Sequence, residues 1–306
     1  MQTKIDQIVD TIDNVLYGKK VQIRQALTCI LSGGHLLIED LPGMGKTTLS
    51  HAFAKVLGLD YQRVQFTSDM LPADILGVSI YDQQNADFKF KQGPVFTQLL
   101  LADEINRTTP KTQSALLEAM EEHQVTVDGQ THSLPRPFFV IATQNPLTQY
   151  GTYPLPESQL DRFLMRVQLG YPSREAERIL LEGGDSRQKV DNLPCLVTED
   201  ELFELQRACQ QTEVSDAVLD YLQRLVIYTR ESSDFVFGIS PRGSLALLKT
   251  ARTWAYIHGR AYVVPEDIQT LIGPVFGHRL RSAEDYAEHA SMALIKQLLA
   301  DVNVLG

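Results

Sequence analysis

Cysteine is scarce in this sequence, with only Cys29, Cys195 and Cys209 among 306 residues. An odd number of scattered cysteines argues against a disulfide framework and against a zinc cluster, and it indicates a reducing compartment. The seven histidines show no HExxH motif or paired ligand spacing, so they do not predict a metal site.

Long apolar runs and excess positive charge are also missing. No stretch is long and apolar enough to span a bilayer, and the N-terminal segment "MQTKIDQIVDTIDNVLY" alternates polar and apolar residues without a signal-peptide core. We therefore expect a cytoplasmic protein without membrane insertion. The net charge of −10 argues against non-specific binding to nucleic acid, because the overall field repels phosphate.

Hydrophobic residues make up 43% of the chain, which is enough for a substantial core. Up to about residue 170, predicted strands and helices alternate. Short apolar runs flanked by turn residues predict buried parallel strands. These strands are His35–Glu39, Tyr61–Phe66, Gln98–Asp103, Phe138–Thr143 and Phe163–Leu169. Helices are predicted between them, at Thr47–Leu57 and Thr112–His123, so the fold class is α/β with helices on both faces of a parallel sheet.

Beyond residue 171 the pattern is helical throughout, which predicts an α/β domain over 1–170 and an all-α domain over 171–306. Helices are predicted at Arg174–Leu181, Glu199–Gln211, Asp216–Arg230, Pro241–His258, Glu266–Ile272 and about Glu284–Asp301. Ser215 and Ser240 are predicted N-caps, and Gly183–Pro194 is predicted as a loop. Two hairpin inserts are predicted in the first domain, within Gly77–Val95 and within His123–Pro135 around Asp128-Gly129.

The stretch "EDLPGMGKTT" lies between a predicted strand and a predicted helix, and it nearly matches the phosphate-binding pattern GxxxxGK[ST]. Gly43 and Gly45 can turn successive N–H groups toward one anion. Lys46 would contact the β and γ phosphates, and Thr47 would bind Mg²⁺. Asp40 replaces the first glycine of the pattern. A dinucleotide fingerprint is the alternative, but Thr48 stands where its third glycine belongs.

Polar side chains end two further predicted strands. Asp103 and Glu104 follow the apolar run "QLLLA", and Asn145 follows "VIATQ". Carboxylates at the carboxyl ends of parallel strands face the ligand crevice of an open sheet. Asp103 could hold Mg²⁺, Glu104 could polarise a water molecule, and Asn145 could orient it.

Two arginines are further candidates. Arg162 directly precedes the fifth predicted strand, and Arg242 lies in the first turn of a predicted helix, where a cation is unfavourable for the helix dipole. Taken singly, each arginine is also compatible with a surface ion pair. An anionic partner is the competing interpretation for Arg242.

The order of these blocks resembles the AAA+ ATPases, and within them the MoxR family, over essentially the whole chain. The blocks are "GGHLLIEDLPGMGKTTLSHAFAKVLG", "RVQFTSDMLPADILG", "GPVFTQLLLADEINRTTPKTQSALLEAMEE", "FFVIATQNPLTQYGTYPLPESQLDRFLMR" and "SPRGSLALLKTARTWAYIHGRAYVVPEDI". The resemblance implies strand order 5-1-4-3-2 in an AAA+ P-loop core, a C-terminal helical lid, and a ring, usually a hexamer.

The resemblance also implies roles for single residues. Asp103 and Glu104 would form Walker B, with Thr47 and Asp103 at the Mg²⁺ ion, Asn145 as sensor 1, Arg162 as arginine finger and Arg242 as sensor 2. Nucleotide contacts would come from the Walker A residues Pro42, Gly43, Met44, Gly45, Lys46, Thr47 and Thr48.

The implied activity is ATP hydrolysis that drives remodelling or maturation of protein complexes, with partners that often bear von Willebrand A domains. The alternative is a nucleic-acid motor or initiator, because related helicases carry similar hairpins. Against it, residues 124–133 contain no Lys or Arg, where a DNA-tracking loop needs positive charge. A small-molecule kinase and a non-hydrolysing scaffold are further alternatives, and Glu104 favours a hydrolase over the kinase.

Overall fold

The computed structural model describes residues 2–145, 152–182, 186–283 and 292–304. Nine strands occur in these residues. In chain order they are β1 His35–Glu39, β2 Tyr61–Gln65, β3 Gly77–Asp82, β4 Asp87–Gln92, β5 Leu99–Asp103, β6 Gln124–Val127, β7 Gln130–Ser133, β8 Phe139–Gln144 and β9 Phe163–Val167.

Thirteen helices occur in the same residues, together with a 3-10 turn at Ile105–Arg107. They are α1 Gln2–Asp13, α2 Lys20–Leu31, α3 Lys46–Val56, α4 Pro72–Leu76, α5 Pro110–Glu122, α6 Glu157–Leu160, α7 Arg174–Leu181, α8 Ser186–Asp191, α9 Glu199–Gln210, α10 Asp216–Glu231, α11 Pro241–Ile257, α12 Pro265–Phe276 and α13 Met292–Asp301.

The central sheet has the order β2-β5-β8-β1-β9, and all its neighbouring strands run parallel. Counting only these five strands along the chain, the order read from the other side is 5-1-4-3-2, which confirms the predicted topology. Apolar side chains alternate between the faces, with Leu36 and Ile38 in one buried cluster and Leu37 in the other. Both faces of the sheet are therefore covered, as expected for an α/β fold.

The strand β2 corrects one expectation. It was predicted as a largely buried strand, but it lies at the sheet edge and buries only Val64 among its five residues. An edge strand has a neighbour on one side only, and the side chains of Arg63 and Gln65 are exposed.

Both predicted hairpins are confirmed. β3 pairs antiparallel with β4, and β6 pairs with β7 through a turn in which Asp128 and Gly129 have φ of 51° and 78°. Two successive positive φ angles are typical of the turn that Asp-Gly favours in hairpins. Phe90 of β4 stacks on His132 of β7, with ring centroids 4.0 Å apart, so the hairpins contact each other.

Helices predominate after β9, as predicted, although some details differ. Ser240 caps α11 by accepting from the N–H of Gly243, whereas Ser215 stands at the N-cap of α10 without a side-chain cap hydrogen bond. The predicted loop at 183–194 contains helix α8, which packs against α3. The last helix is described from Met292, and the predicted start at Glu284 lies outside the described residues. No described helix is long and apolar enough to cross a membrane.

Candidate functional site

The loop after β1 lies at the carboxyl edge of the sheet, where the parallel strands end. Gly43 and Gly45 adopt φ of 85° and 91°, a region that favours glycine. A Cβ atom on Gly45 would also lie 2.5 Å from Cδ1 of Leu16, so a larger residue there would have to displace the Leu16 side chain. The loop thereby passes directly into helix α3, whose N-terminal N–H groups attract anions.

Asp40, which departs from the phosphate-binding pattern, links this loop to the segment after β9. Its Oδ2 accepts a hydrogen bond from the N–H of Gly170 at 2.6 Å, and its Oδ1 accepts from its own neighbour Leu41 at 3.0 Å. The acidic side chain therefore holds the loop to the sheet at the strand exit, which is a reason for a carboxylate where the general pattern has glycine.

Lys46 extends from the start of α3 into the polar network at the sheet edge. Its Nζ donates to the carbonyl of Asp40 at 2.6 Å and to Oδ1 of Asn145 at 3.1 Å. Burial lowers the pKa of Lys46, and the nearby carboxylates of Asp103, Asp40 and Glu104 act in the opposite direction. The ammonium group is thus anchored and lies among negative charges.

Asp103 ends β5 and is held on both carboxylate oxygens. Oδ1 accepts from the hydroxyl of Thr143 at 2.6 Å, and Oδ2 accepts from Nη2 of Arg63 at 2.7 Å. These contacts from the two neighbouring strands fix the orientation of the carboxylate.

Glu104 follows in a left-handed conformation, with φ of 56°. Its Oε1 accepts from Nδ2 of Asn145 at 3.0 Å, and its Oε2 accepts from Nε2 of Gln65 at 2.8 Å and pairs with Arg107 at 2.9 Å. Asn145 consequently bridges Lys46 and Glu104 and is itself only 2% exposed. The structure thus brings Lys46, Asp103, Glu104 and Asn145 together, as the sequence predicts.

A cavity of about 630 Å³, termed the loop cleft, connects these groups. Among the predicted site residues, its lining includes Pro42, Gly43, Gly45, Lys46, Thr47, Thr48, Asp103, Glu104 and Asn145. Met44 lines a smaller neighbouring cavity of about 160 Å³ with Leu16, Tyr17 and Leu180.

The donor set of the loop cleft suits Mg²⁺ bound together with a phosphate. Mg²⁺ is commonly held by one or two carboxylates, phosphate oxygens and water, and Thr47 and Asp103 offer one hydroxyl and one carboxylate in the same cavity. In the described ranges there is no group of three or more His, Cys, Asp and Glu side chains that could hold a metal. With one hydroxyl and one carboxylate, Thr47 and Asp103 fit a Mg²⁺ ion whose other ligands are phosphate oxygens and water.

The two predicted arginines lie elsewhere. Arg162 precedes β9 and is therefore at the amino edge of the sheet, where the strands begin. Nε of Arg162 contacts Oε2 of Glu121 at 3.0 Å, and Nη2 of Arg242 pairs with Oε1 of the same carboxylate. Both arginines and Glu121 line a cavity of about 310 Å³, termed the arginine cleft.

The length of the sheet separates the two clefts. β1 begins at His35, which pairs with Phe163 next to Arg162, and it ends at Glu39 before the loop. Five strand residues span roughly 16 Å at about 3.3 Å each. The structure therefore does not bring Arg162 or Arg242 to the loop of their own chain.

Several contacts in the two clefts were not predicted from the sequence. Arg63 and Gln65 have a recognisable signal, because they are alternate polar residues at the end of a strand, like Asp103. Glu121 carries no such signal, since it is one of several acidic residues near the end of α5.

Comparison with known proteins gives matches along most of the chain. Residues 35–165 match the ATPase family associated with various cellular activities (AAA), and residues 227–298 match the AAA lid domain. An uncharacterised Bacillus subtilis protein, YeaC, is 43% identical over 302 residues, which cover 98% of this chain and 94% of YeaC.

Two further relatives carry descriptions of activity. Chaperone MoxR1 of Mycobacterium tuberculosis is 40% identical over 286 residues, 90% of this chain and 75% of MoxR1. The crystal structure of a candidate ATPase from Cytophaga hutchinsonii superposes with a TM-score of 0.87 at 37% identity, covering 99% of this chain and 95% of that one.

Proposed function

Because this chain belongs to the MoxR family of AAA+ ATPases, we propose that its subunits form a ring whose ATP sites are shared between neighbours. ATP hydrolysis would drive the remodelling or maturation of protein complexes. The observation that carries this proposal is the division of the site residues between two edges of one sheet. Lys46 and Asp103 line the loop cleft, and Arg162 and Arg242 line the arginine cleft.

In the loop cleft, the triphosphate binds to the N–H groups of residues 43–48 and to the Nζ of Lys46. The nucleoside end would occupy the smaller cavity beside Met44, where Leu16, Tyr17 and Leu180 offer an apolar surface. Thr47 and Asp103 would hold Mg²⁺, and the ion would neutralise charge on the triphosphate.

Glu104 would take a proton from the attacking water. Hydrogen bonds from Gln65 and Asn145 hold its carboxylate, and Glu104 lines the loop cleft. General-base assistance contributes about 10²- to 10⁴-fold to a rate. Asn145 contacts both Glu104 and Lys46, and it is the polar group best placed to orient that water.

Arg162 and Arg242 act on the ATP of a neighbouring subunit. Each supplies positive charge as the γ phosphoryl group departs, and an arginine finger of this kind contributes about 10³- to 10⁵-fold. A cis role for Arg242 is disfavoured, because its guanidinium shares the carboxylate of Glu121 with Arg162 at the far edge of the sheet.

The clients are proteins or protein complexes. This rests on the chaperone description of the 40% identical MoxR1 and on the family resemblance, which also favours a hexamer and partners with von Willebrand A domains. The acidic net charge of −10 and the absence of Lys and Arg from residues 124–133 favour a protein client over a nucleic acid.

A mixing experiment tests the shared site. Lys46→Ala removes the loop half, and Arg162→Ala removes the finger half, so each variant alone should hydrolyse ATP poorly. When the two are mixed, some interfaces combine an intact loop with an intact finger, and part of the ATPase activity should return. Cross-linking or native mass spectrometry verifies mixed assemblies. No recovery in verified mixed assemblies would contradict shared sites.

A further inference from the structure

Glu121, at the end of α5, is the acid on which two distant parts of the chain converge. One carboxylate oxygen contacts Nε of Arg162, 41 positions away in sequence, and the other pairs with Nη2 of Arg242. The Glu121 side chain is 35% exposed, and the two arginine side chains are 28% and 47% exposed. This arrangement therefore lies at the surface, open to a partner.

Each arginine uses only part of its donor set on Glu121. Arg162 is held through Nε, which leaves its two terminal amino groups, and Arg242 is held through one terminal nitrogen. Across the described ranges, neither guanidinium has another ion-pair partner. Their remaining N–H groups are available at the arginine cleft, and planar guanidinium donors suit phosphate oxygens.

A second set of hydrogen bonds fixes the backbone segments that precede Arg162 and Arg242. Asp161, the residue before Arg162, accepts from Nε of the buried Arg279 at 2.7 Å and from the Oγ of Ser240 at 3.2 Å. Ser240 is the N-cap of the helix that carries Arg242. These contacts fix the backbone positions of the two arginines. The contacts with Glu121 then determine the orientation of their guanidinium groups.

We propose that Glu121 is a positioning residue that aligns Arg162 and Arg242 as one unit for the γ phosphate of a neighbouring subunit. The inference rests on the proposed shared site and adds a component to it. Two guanidinium groups close together repel each other, and the single carboxylate reduces that repulsion while leaving outward donors free. Positioning of this kind matters for the transition state more than for ATP binding.

The test introduces Glu121→Gln into only one of the two subunit types of the mixed assembly at a time. In the mixture, the Lys46→Ala subunit donates the arginines, and the Arg162→Ala subunit supplies the intact loop. Glu121→Gln is introduced first into the donor and then, separately, into the acceptor. Glu122→Gln in the donor is the matched control, because Glu122 is the exposed next residue in the same helix turn.

We expect Glu121→Gln in the donor to lower the recovered kcat about three- to tenfold, with little change in the KM for ATP, because the acceptor's loop binds the nucleotide. Glu121→Gln in the acceptor should have no comparable effect, since Arg162 is already absent from that subunit. Glu122→Gln should leave the recovered activity unchanged.

Two results would overturn the inference while leaving the shared site intact. One is unchanged or increased kcat with Glu121→Gln in the donor, and the other is an equal loss wherever the substitution is placed. An equal loss would indicate a structural effect on α5, and thermal unfolding of each subunit checks this directly. Absence of recovery in the parent mixture is a different outcome, which contradicts the shared site and the inference together.

Discussion

The two edges of the central sheet differ in how completely their charges are satisfied within one chain. At the carboxyl edge, Lys46 and Asp103 are each only 7% exposed, and hydrogen bonds link them to Asn145 and Thr143. At the amino edge, two partly exposed arginines share a single carboxylate. The polar groups of the carboxyl edge are thus already hydrogen-bonded within the chain, whereas the arginines of the amino edge have N–H donors that are not used within the described residues.

This difference is the basis for assigning different roles in hydrolysis to the two edges in the proposed shared site. A preorganised polar site holds a ligand without large rearrangement, because its groups are already oriented. Unused positive charge at a surface instead favours an anionic partner from outside the chain. In the proposed shared site, binding and water activation would belong to one edge of a subunit, and charge stabilisation would belong to the opposite edge of its neighbour.

The largest expected effect concerns Glu104, whose substitution should impair the carboxyl edge and leave the arginines of the amino edge functional. Glu104→Gln should lower kcat for ATP about 10²- to 10⁴-fold while ATP binding persists, because the amide cannot accept the proton of the attacking water. Fluorescent-nucleotide titration and steady-state phosphate release measure the two properties. The loss should be confined to the variant's own loop cleft, so a Glu104→Gln subunit should still activate an Arg162→Ala neighbour. Normal turnover in the variant would remove Glu104 from its role.

A second prediction concerns pH and the buried His35 at the amino edge. Nε2 of His35 bonds to the carbonyl of Met120 at 3.1 Å, and Nδ1 accepts from the N–H of Val140 at 3.0 Å, which requires the neutral ring. Burial lowers the pKa of His35 to about 4. Since the unfolded state with its pKa of about 6.5 binds more protons between these values, stability should fall as the pH drops from 6.5 toward 4.

The size of this effect follows from the same two values. Between pH 7 and pH 5, His35 should reduce the free energy of unfolding by about 2 kcal/mol. Urea unfolding at both pH values, compared with His35→Gln, isolates this contribution from the carboxylates common to both proteins. Equal pH dependence in the two proteins would show that the ring is not held neutral.

An effect of comparable size is expected at Asp40, which links the loop after β1 to the segment after β9. Asp40→Ala removes acceptors for the N–H groups of Gly170 and Leu41, and a lost hydrogen bond to a charged group costs about 1.5 to 3 kcal/mol. The midpoint of thermal unfolding should fall by several degrees. Asp40→Asn keeps one acceptor and should lose less, and an equal loss in both would contradict the role of the acceptor.

The strands of the sheet were predictable because each buried one is a short apolar run, and β5 and β8 are buried along their whole lengths. Helix α8 was not predictable in this way. It lies in a polar, glycine-bearing stretch, and its packing against α3 outweighs its weak local preference. The exposure of β2 was likewise missed from the residue pattern, although the strand order that the resemblance implies places this strand at the sheet edge.

The residues at the carboxyl edge were predictable as a set, since parallel strands place all their carboxyl ends together. The pairing of Asp103 with Arg63 and Thr143 was not predictable in this way, because the residue pattern alone does not specify which strands are neighbours.

The sequence by itself determined the chemical groups of this protein: a glycine loop followed by Lys46, an acidic pair after a buried strand, and the resemblance to the MoxR family. Only the tertiary structure decided that Arg162 and Arg242 meet on Glu121, about 16 Å of strand away from their own loop. The physical reason is that strand ends are local features of the chain, whereas a shared ion pair requires three segments far apart in sequence to pack together.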